Sequence, residues 1–195
     1  LRFNPSPETL YGAINKIQPG HYLEIDLAEQ DLIVRSHSFL NSAPQTATIV
    51  STPVVTRYGQ KLEEAVKSQL LSDVDLGILL SGGVDSAVIA ALAKRNYSGN
   101  LKAFTVGFEG DFSEDEIQHA AETAEVLGLE HHYKKISFND FIGTVRECSL
   151  MVEEPLATTS IIPMYFLSEL ASKHVKVVLS GQGADEPLGG YVKYK

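Results

Sequence analysis

From about residue 55 onward, short apolar runs alternate with longer amphipathic segments, and this rhythm restricts the chain more than any other feature. Tyr58, Leu62, Val66 and Leu70 recur every four residues, with Glu63, Glu64 and Lys67 on other faces. That spacing predicts an amphipathic helix from about Val55 to Leu71. Apolar runs at Asp75–Leu80, Leu101–Phe108, His131–Ile136 and Val175–Leu179 read as strands. Between and after them, Ala87–Arg95, Glu114–Leu127, Phe138–Met151 and Ile161–Lys173 read as helices, with Gly128 as the stop of the second. The most apolar strands do not alternate with polar residues, so both of their faces must be covered. Strands alternating with helices of this length give an α/β fold, a parallel sheet with helices on both faces.

The first 40 residues differ. They carry short extended runs, Tyr22–Ile25 and Leu32–Val34, after a Pro19-Gly20 turn. Residues 41–54 are rich in Ser, Thr, Ala and Pro and read as a linker to a second region, residues 55–195. The chain opens at Leu1 and stops soon after a glycine-rich stretch, which predicts a piece of a longer protein.

Composition narrows the partners. Sixteen Lys and Arg stand against 25 Asp and Glu, a net charge of −9, and the only adjacent basic pairs are Lys94-Arg95 and Lys134-Lys135. A nucleic-acid surface needs a basic face, so a small-molecule ligand is expected and nucleic acid is not. The longest strictly apolar run, Ala87 to Ala93, is about two helical turns, which predicts no membrane span. A single cysteine, Cys148, forbids an intrachain disulfide and fits a reducing, cytoplasmic setting. Its place in a helix near Val145 and Val152 marks it as a core thiol. His131-His132 lacks a third ligand nearby and is read as structural, and the Asn96-Tyr97-Ser98 sequon as chance.

In open α/β sheets ligands bind at the carboxyl ends of the strands. Ser81-Gly82-Gly83-Val84-Asp85-Ser86 follows the first strand, and Ser180-Gly181-Gln182-Gly183-Ala184-Asp185-Glu186 follows the fourth. A strand turning into a helix leaves the first helical N–H groups unpaired, next to the positive end of the helix dipole. Glycines there let phosphate oxygens approach the backbone. Asp85 would repel phosphate unless a cation lies between them, which points to Mg²⁺. The plain alternative is a tight turn with Asp85 or Ser86 as the helix N-cap. No Gly-Lys-Ser/Thr is present, so this is not a Walker loop.

Ser81–Ser86 resembles the pyrophosphate loop of the PP-loop ATP pyrophosphatases. With Leu71-Ser72-Asp73-Val74 before it, and with Leu179–Glu186 and Gly189-Gly190-Tyr191 after it, roughly residues 55–191 resemble the glutamine-dependent asparagine synthases. Residues 8–25 resemble the last segment of that family's glutaminase domain. Residues 1–40 would then be the tail of an amidotransferase domain, with unpaired strand edges once separated from their partners.

The resemblance implies an enzyme that adenylates a carboxylate, aspartate or a related acid, at the expense of ATP. Pyrophosphate would leave, and glutamine-derived ammonia would complete the amide. It implies that Ser81, Gly82, Gly83, Asp85 and Ser86 hold the pyrophosphate, and that Leu79 or Leu80, Val106, Ser180 and Gly181 frame the adenosine and α-phosphate. Asp85 and Asp185 would hold Mg²⁺. Gln182 stands where well-known members carry a Glu that assists adenylation, and Gln cannot act as a base. The segment Glu153–Ser160, where the acceptor acid would be read, carries no Arg to grip an α-carboxylate. Two other readings remain: a different PP-loop adenylating enzyme, and a nucleotide-binding module without catalysis. Homo-oligomerisation is left open.

Overall fold

The computed structural model describes residues 4–27, 32–40, 51–110, 114–152 and 158–191. The chain divides into two compact units, Leu1–Val50 with Ser149–Thr159, and Ser51–Cys148 with Ser160–Lys195.

In the first unit, β1 (His21–Asp26) and β2 (Ile33–Ser38) form an antiparallel pair. Alternation places Leu23, Ile25 and Val34 on one face and Tyr22, Glu24, Arg35 and His37 on the other. The polar face is internally tied: His37 lies 3.0 Å from Glu24, and Tyr22 stacks on His37. On the apolar face, Leu23, Ile25 and Val34 remain 39%, 52% and 55% exposed. None of the described residues before Leu40 is buried, so they enclose no core.

The second unit begins with α1 (Thr52–Gln69). Residues 52–54 are therefore helix rather than linker. Pro53 sits in the first turn, where its missing N–H interrupts no helical bond. Linker residues 41–50 lie outside the described residues, as do the loop at 111–113 and residues 153–157 of the proposed acceptor segment. There follow β3 (Leu76–Leu79), α2 (Val84–Asn96), β4 (Lys102–Phe108), α3 (Glu114–Leu127), β5 (Glu130–Ile136), α4 (Phe138–Met151), α5 (Ile161–Ser172), β6 (Val177–Leu179) and the single turn α6 (Asp185–Leu188). Gly128 ends α3 with φ +62°, the left-handed stop its position predicts.

The sheet is wholly parallel, in the order β5-β4-β3-β6. Leu76, Ile78, Leu80 and Ala103 pack on one face with Val66 of α1, Ala90 and Ala93 of α2, and Ala120 and Ala124 of α3. On the other face, Phe104 meets Leu79 and the α5 residues Leu167, Leu170 and Ala171. Ile136 and Val106 on that face meet Cys148 of α4 and Ile162 and Phe166 of α5. Helices thus cover both faces, as the unbroken apolar strands require. Gly77 belongs to the same logic. A Cβ there would lie 2.5 Å from the Phe104 ring and 3.0 Å from Val175, so the strand needs a residue without a side chain.

Chain order reverses beside β3: the chain moves from β3 outward to β4 and β5, then returns to β6 on the opposite side. Such a switch opens a crevice at the carboxyl ends of the two strands.

Candidate active site

Two glycine-rich loops fill that crevice. The first leaves β3 at Leu80, whose N–H still donates to Phe104 O at 2.9 Å. Ser86, 6% exposed, ties the loop together through its hydroxyl. Its Oγ accepts from Ser81 N–H at 3.1 Å and lies 3.0 Å from Gly83 O, 3.1 Å from Ser81 O and 2.9 Å from Ser81 Oγ. Ser81 Oγ in turn accepts from Gly83 N–H at 3.2 Å.

The N-cap of α2 is Gly83, not Asp85 or Ser86, and no side chain caps this end. The helix starts three residues earlier than its apolar run because Val84, Asp85 and Ser86 form its first turn. With the cap position held by glycine, Asp85 is released from capping and lines the crevice. The leading N–H groups of the helix keep the electropositive character of an uncapped terminus.

The second loop follows β6. Ser180 Oγ accepts from Gln182 N–H at 3.2 Å, and Gly183 takes φ +97°. At Gly181 this loop touches the first: a Cβ would lie 2.9 Å from Ser86 N and 3.1 Å from the Asp85 carbonyl carbon. Only glycine permits that approach. Asp185 opens α6, and Gly190 sits so close to its carboxylate that a side chain there would collide with it. Tyr191 donates to Glu186 Oε1 at 2.9 Å.

The resulting cleft, about 430 Å³, is lined by Leu79, Leu80, Ser81, Asp85, Ser86, Val106, Ser180, Gly181, Gln182 and Asp185 among others. Ten of the twelve residues singled out from sequence therefore meet in one place. Gly82 and Gly83 do not line it. Gly82 packs instead against His119 and the Glu116 backbone, and Gly83 caps α2.

Sequence reading missed most of one wall, reaching only Ser160, the end of the segment expected to read the acceptor acid. Ser160, Pro163, Met164 and Leu167 also line the cleft, as do Phe108 and Glu116. Pro163, Met164 and Leu167 fall at helical spacing on one side of α5, with Ser160 as its N-cap, but residues 161–167 are apolar on every side, so no polar contrast distinguished the side that faces a ligand. The carboxylates of Asp85, Glu116 and Asp185 belong to the lining, whereas no Lys or Arg does among the described residues. A polyphosphate entering here would meet backbone N–H groups, hydroxyls and negative charge. A cation entering with it would offset that charge, and the lining carboxylates could hold one.

The cysteine and the paired histidines that stand out in the sequence are held by packing and hydrogen bonds. Cys148 is 1% exposed, and burial pushes its thiol pKa up. His132 bonds to Glu130 at 2.8 Å and stacks on His174 with 4.0 Å between ring centroids. Among the described residues no group of three or more His, Cys, Asp or Glu is placed to hold a metal. No helix of the described residues is long and apolar enough to cross a membrane.

An open parallel sheet with paired glycine loops at its switch point defines an α/β protein of the ligand-binding, doubly covered class. The chain belongs to the asparagine synthase family, whose sequence model matches residues 57–195. It is similar to asparagine synthetase [glutamine-hydrolyzing] 1 of Bacillus subtilis (36% identical, covering 100% of this chain and 30% of that protein). It is also similar to asparagine synthetase [glutamine-hydrolyzing] 1 of Arabidopsis thaliana (34% identical, 90% of this chain and 31% of that protein). This chain thus spans about a third of the length of these curated relatives. Among solved structures, glutamine-dependent NAD+ synthetase from Acinetobacter baumannii in complex with ADP matches with a TM-score of 0.49 at 22% identity, over 84% of this chain and 32% of that one.

Proposed function

We propose that the cleft binds ATP with Mg²⁺ and adenylates a small carboxylic acid, aspartate or a related acid, as the ligase half of a glutamine-dependent amidation. The observation that carries this reading is the contact at Gly181, which brings two phosphate-compatible loops against the first turn of α2. Uncapped N–H groups of α2 and the Ser81 hydroxyl would hold the pyrophosphate portion. Leu79, Leu80 and Val106 supply an apolar floor for the adenosine, with Ser180 and Gly181 beside the α-phosphate. Asp85 and Asp185 would hold the cation, which supplies charge neutralisation to the leaving pyrophosphate. In the reaction the acceptor carboxylate attacks the α-phosphorus, the bond to the β-phosphate oxygen breaks, and pyrophosphate departs. Ammonia derived from glutamine then displaces AMP from the acyl carbon.

Pyrophosphate release by the complete protein, measured across a panel of carboxylic acids with and without ammonia, tests the reading. Acid-dependent release with AMP as co-product is expected. ATP cleaved to ADP instead, or no release with any acid, would overturn it. Gln182 supports one competing reading. It lines the cleft where a proton acceptor would serve adenylation, and its amide accepts no proton. A module that only binds nucleotide would take up α,β-methylene ATP yet form no pyrophosphate from ATP.

A further inference from the structure

The peptide joining Leu80 to Ser81 is the last point at which β3 belongs to the sheet, and both of its polar groups are taken by side-chain hydroxyls. Ser86 Oγ accepts from the Ser81 N–H at 3.1 Å, and Thr105 Oγ1 donates to the Leu80 carbonyl at 2.7 Å. Thr105 is 1% exposed and lies on β4, one residue beyond Phe104, whose carbonyl takes the Leu80 N–H. Thr105 Oγ1 is also 2.8 Å from His131 Nε2 on β5. A hydroxyl carries one proton. With that proton committed to Leu80, the imidazole must be the donor, so His131 bears its proton on Nε2. Burial lowers the His131 pKa, which keeps the ring neutral near pH 7 and leaves its second nitrogen unprotonated.

We infer that Thr105 and His131 are positioning residues for nucleotide binding: the chain His131 Nε2–H to Thr105 to Leu80 carbonyl fixes the plane of the peptide from which the phosphate loop departs. This rests on the ATP reading of the cleft. Neither side chain is among those lining the cleft, so both act through the loop. The carbonyl of Leu80 must be satisfied where β3 leaves the ladder, and Thr105 does this without adding a strand residue. The Ser81 N–H is thereby aimed at Ser86 rather than into the cleft.

Four variants of the complete protein test it: Thr105→Val and Thr105→Ser, His131→Leu and His131→Gln. The readouts are the Kd of α,β-methylene ATP with Mg²⁺ by calorimetry, the KM for ATP in pyrophosphate release, and the urea-unfolding midpoint. Loss of one hydrogen bond at a loop-fixing peptide predicts about a tenfold rise in Kd and KM for Thr105→Val, with Thr105→Ser near the parent. His131→Leu should raise both about threefold, and His131→Gln, which retains an N–H donor at similar reach, should restore them. If Thr105→Val does not unfold cooperatively, the His131 pair decides. A lower unfolding midpoint with unchanged Kd in the Leu variant, or equal Kd in Leu and Gln, overturns the inference while the ATP reading stands. A parent protein that binds no ATP analogue overturns that reading and this inference with it.

Discussion

The two glycine-rich loops occupy equivalent places, each at the carboxyl end of one of two paired strands, yet they are held differently. The loop at residues 81–86 is closed by its own hydroxyls, with Ser86 reaching Ser81 and Gly83 and itself buried. The loop at residues 180–185 has the bond from Gln182 N–H to Ser180 Oγ, and it meets the other loop through Gly181. The first is thus organised before any ligand arrives, while the second takes its position partly from the first. Damage to residues 81–86 should spread to 180–185, and damage in the other direction should stay local.

The largest expected effect tests the chemistry of the organised loop. Asp85→Asn preserves size and hydrogen bonding but removes charge. Because Gly83 holds the cap, asparagine should leave the fold intact. The complete protein should lose pyrophosphate release by about 10²-fold, near 2.7 kcal/mol of transition-state stabilisation, with an unchanged urea melt. Equal rates would reduce Asp85 to a turn residue.

Next comes the asymmetry itself. Ser86→Ala strips the Ser81 N–H of its partner, while the Gly83 carbonyl keeps the Ala87 N–H, and it should cost about 1–3 kcal/mol in urea unfolding. Ser180→Ala removes one exposed bond and should stay within about 0.5 kcal/mol. Similar losses for the two serines would break the distinction.

A smaller change probes the contact between the loops. Gly181→Ala places a methyl 2.9 Å from Ser86 N, and it should lower kcat/KM for ATP about tenfold by pushing the second loop away. Leaving kcat/KM unchanged would mean that the loops act independently.

The smallest effect lies at the far end of α2. Arg95, Asn96 and Lys67 surround the Glu63 carboxylate and lower its pKa from 4.5 to about 2. A depressed pKa stabilises the fold above the ordinary value and loses that contribution as pH falls from about 4.5 towards 2. Glu63→Gln should flatten acid unfolding within that window and leave activity at neutral pH unchanged. Its partners Lys67 and Arg95 are 54% and 63% exposed, so solvent screening keeps the contribution to stability small.

Much of this arrangement was legible in the sequence because glycine, serine and aspartate mark strand ends for physical reasons. Glu114–Leu127 and Phe138–Met151 have the boundaries their patterns predict. Where reading fell short, local signals competed. Apolar character suggested that α2 begins at Ala87, whereas its first turn is built from loop residues whose polarity belongs to the site. Lys173 caps α5 rather than extending it, and β6 begins two residues later than its apolar run, at Val177. The α5 wall was invisible because its apolar pattern has no preferred side. Thr105 stands out in the sequence only as part of a strand run and His131-His132 only as a structural pair, since nothing in a linear pattern reveals a hydroxyl bonded across two neighbouring strands.

Gly77 and Phe104 carry a consequence for variation at these positions. The ring occupies the room that a side chain at position 77 would need, so the two sites share one volume. Gly77→Ala alone should overpack by about 1–3 kcal/mol, and Phe104→Ala alone should leave a cavity costing about 3–5 kcal/mol. Gly77→Ala joined to Phe104→Leu should recover part of the first loss. In a population of functional sequences, residue size at 77 and at 104 should then be inversely correlated, with each position inheriting its tolerance from the other.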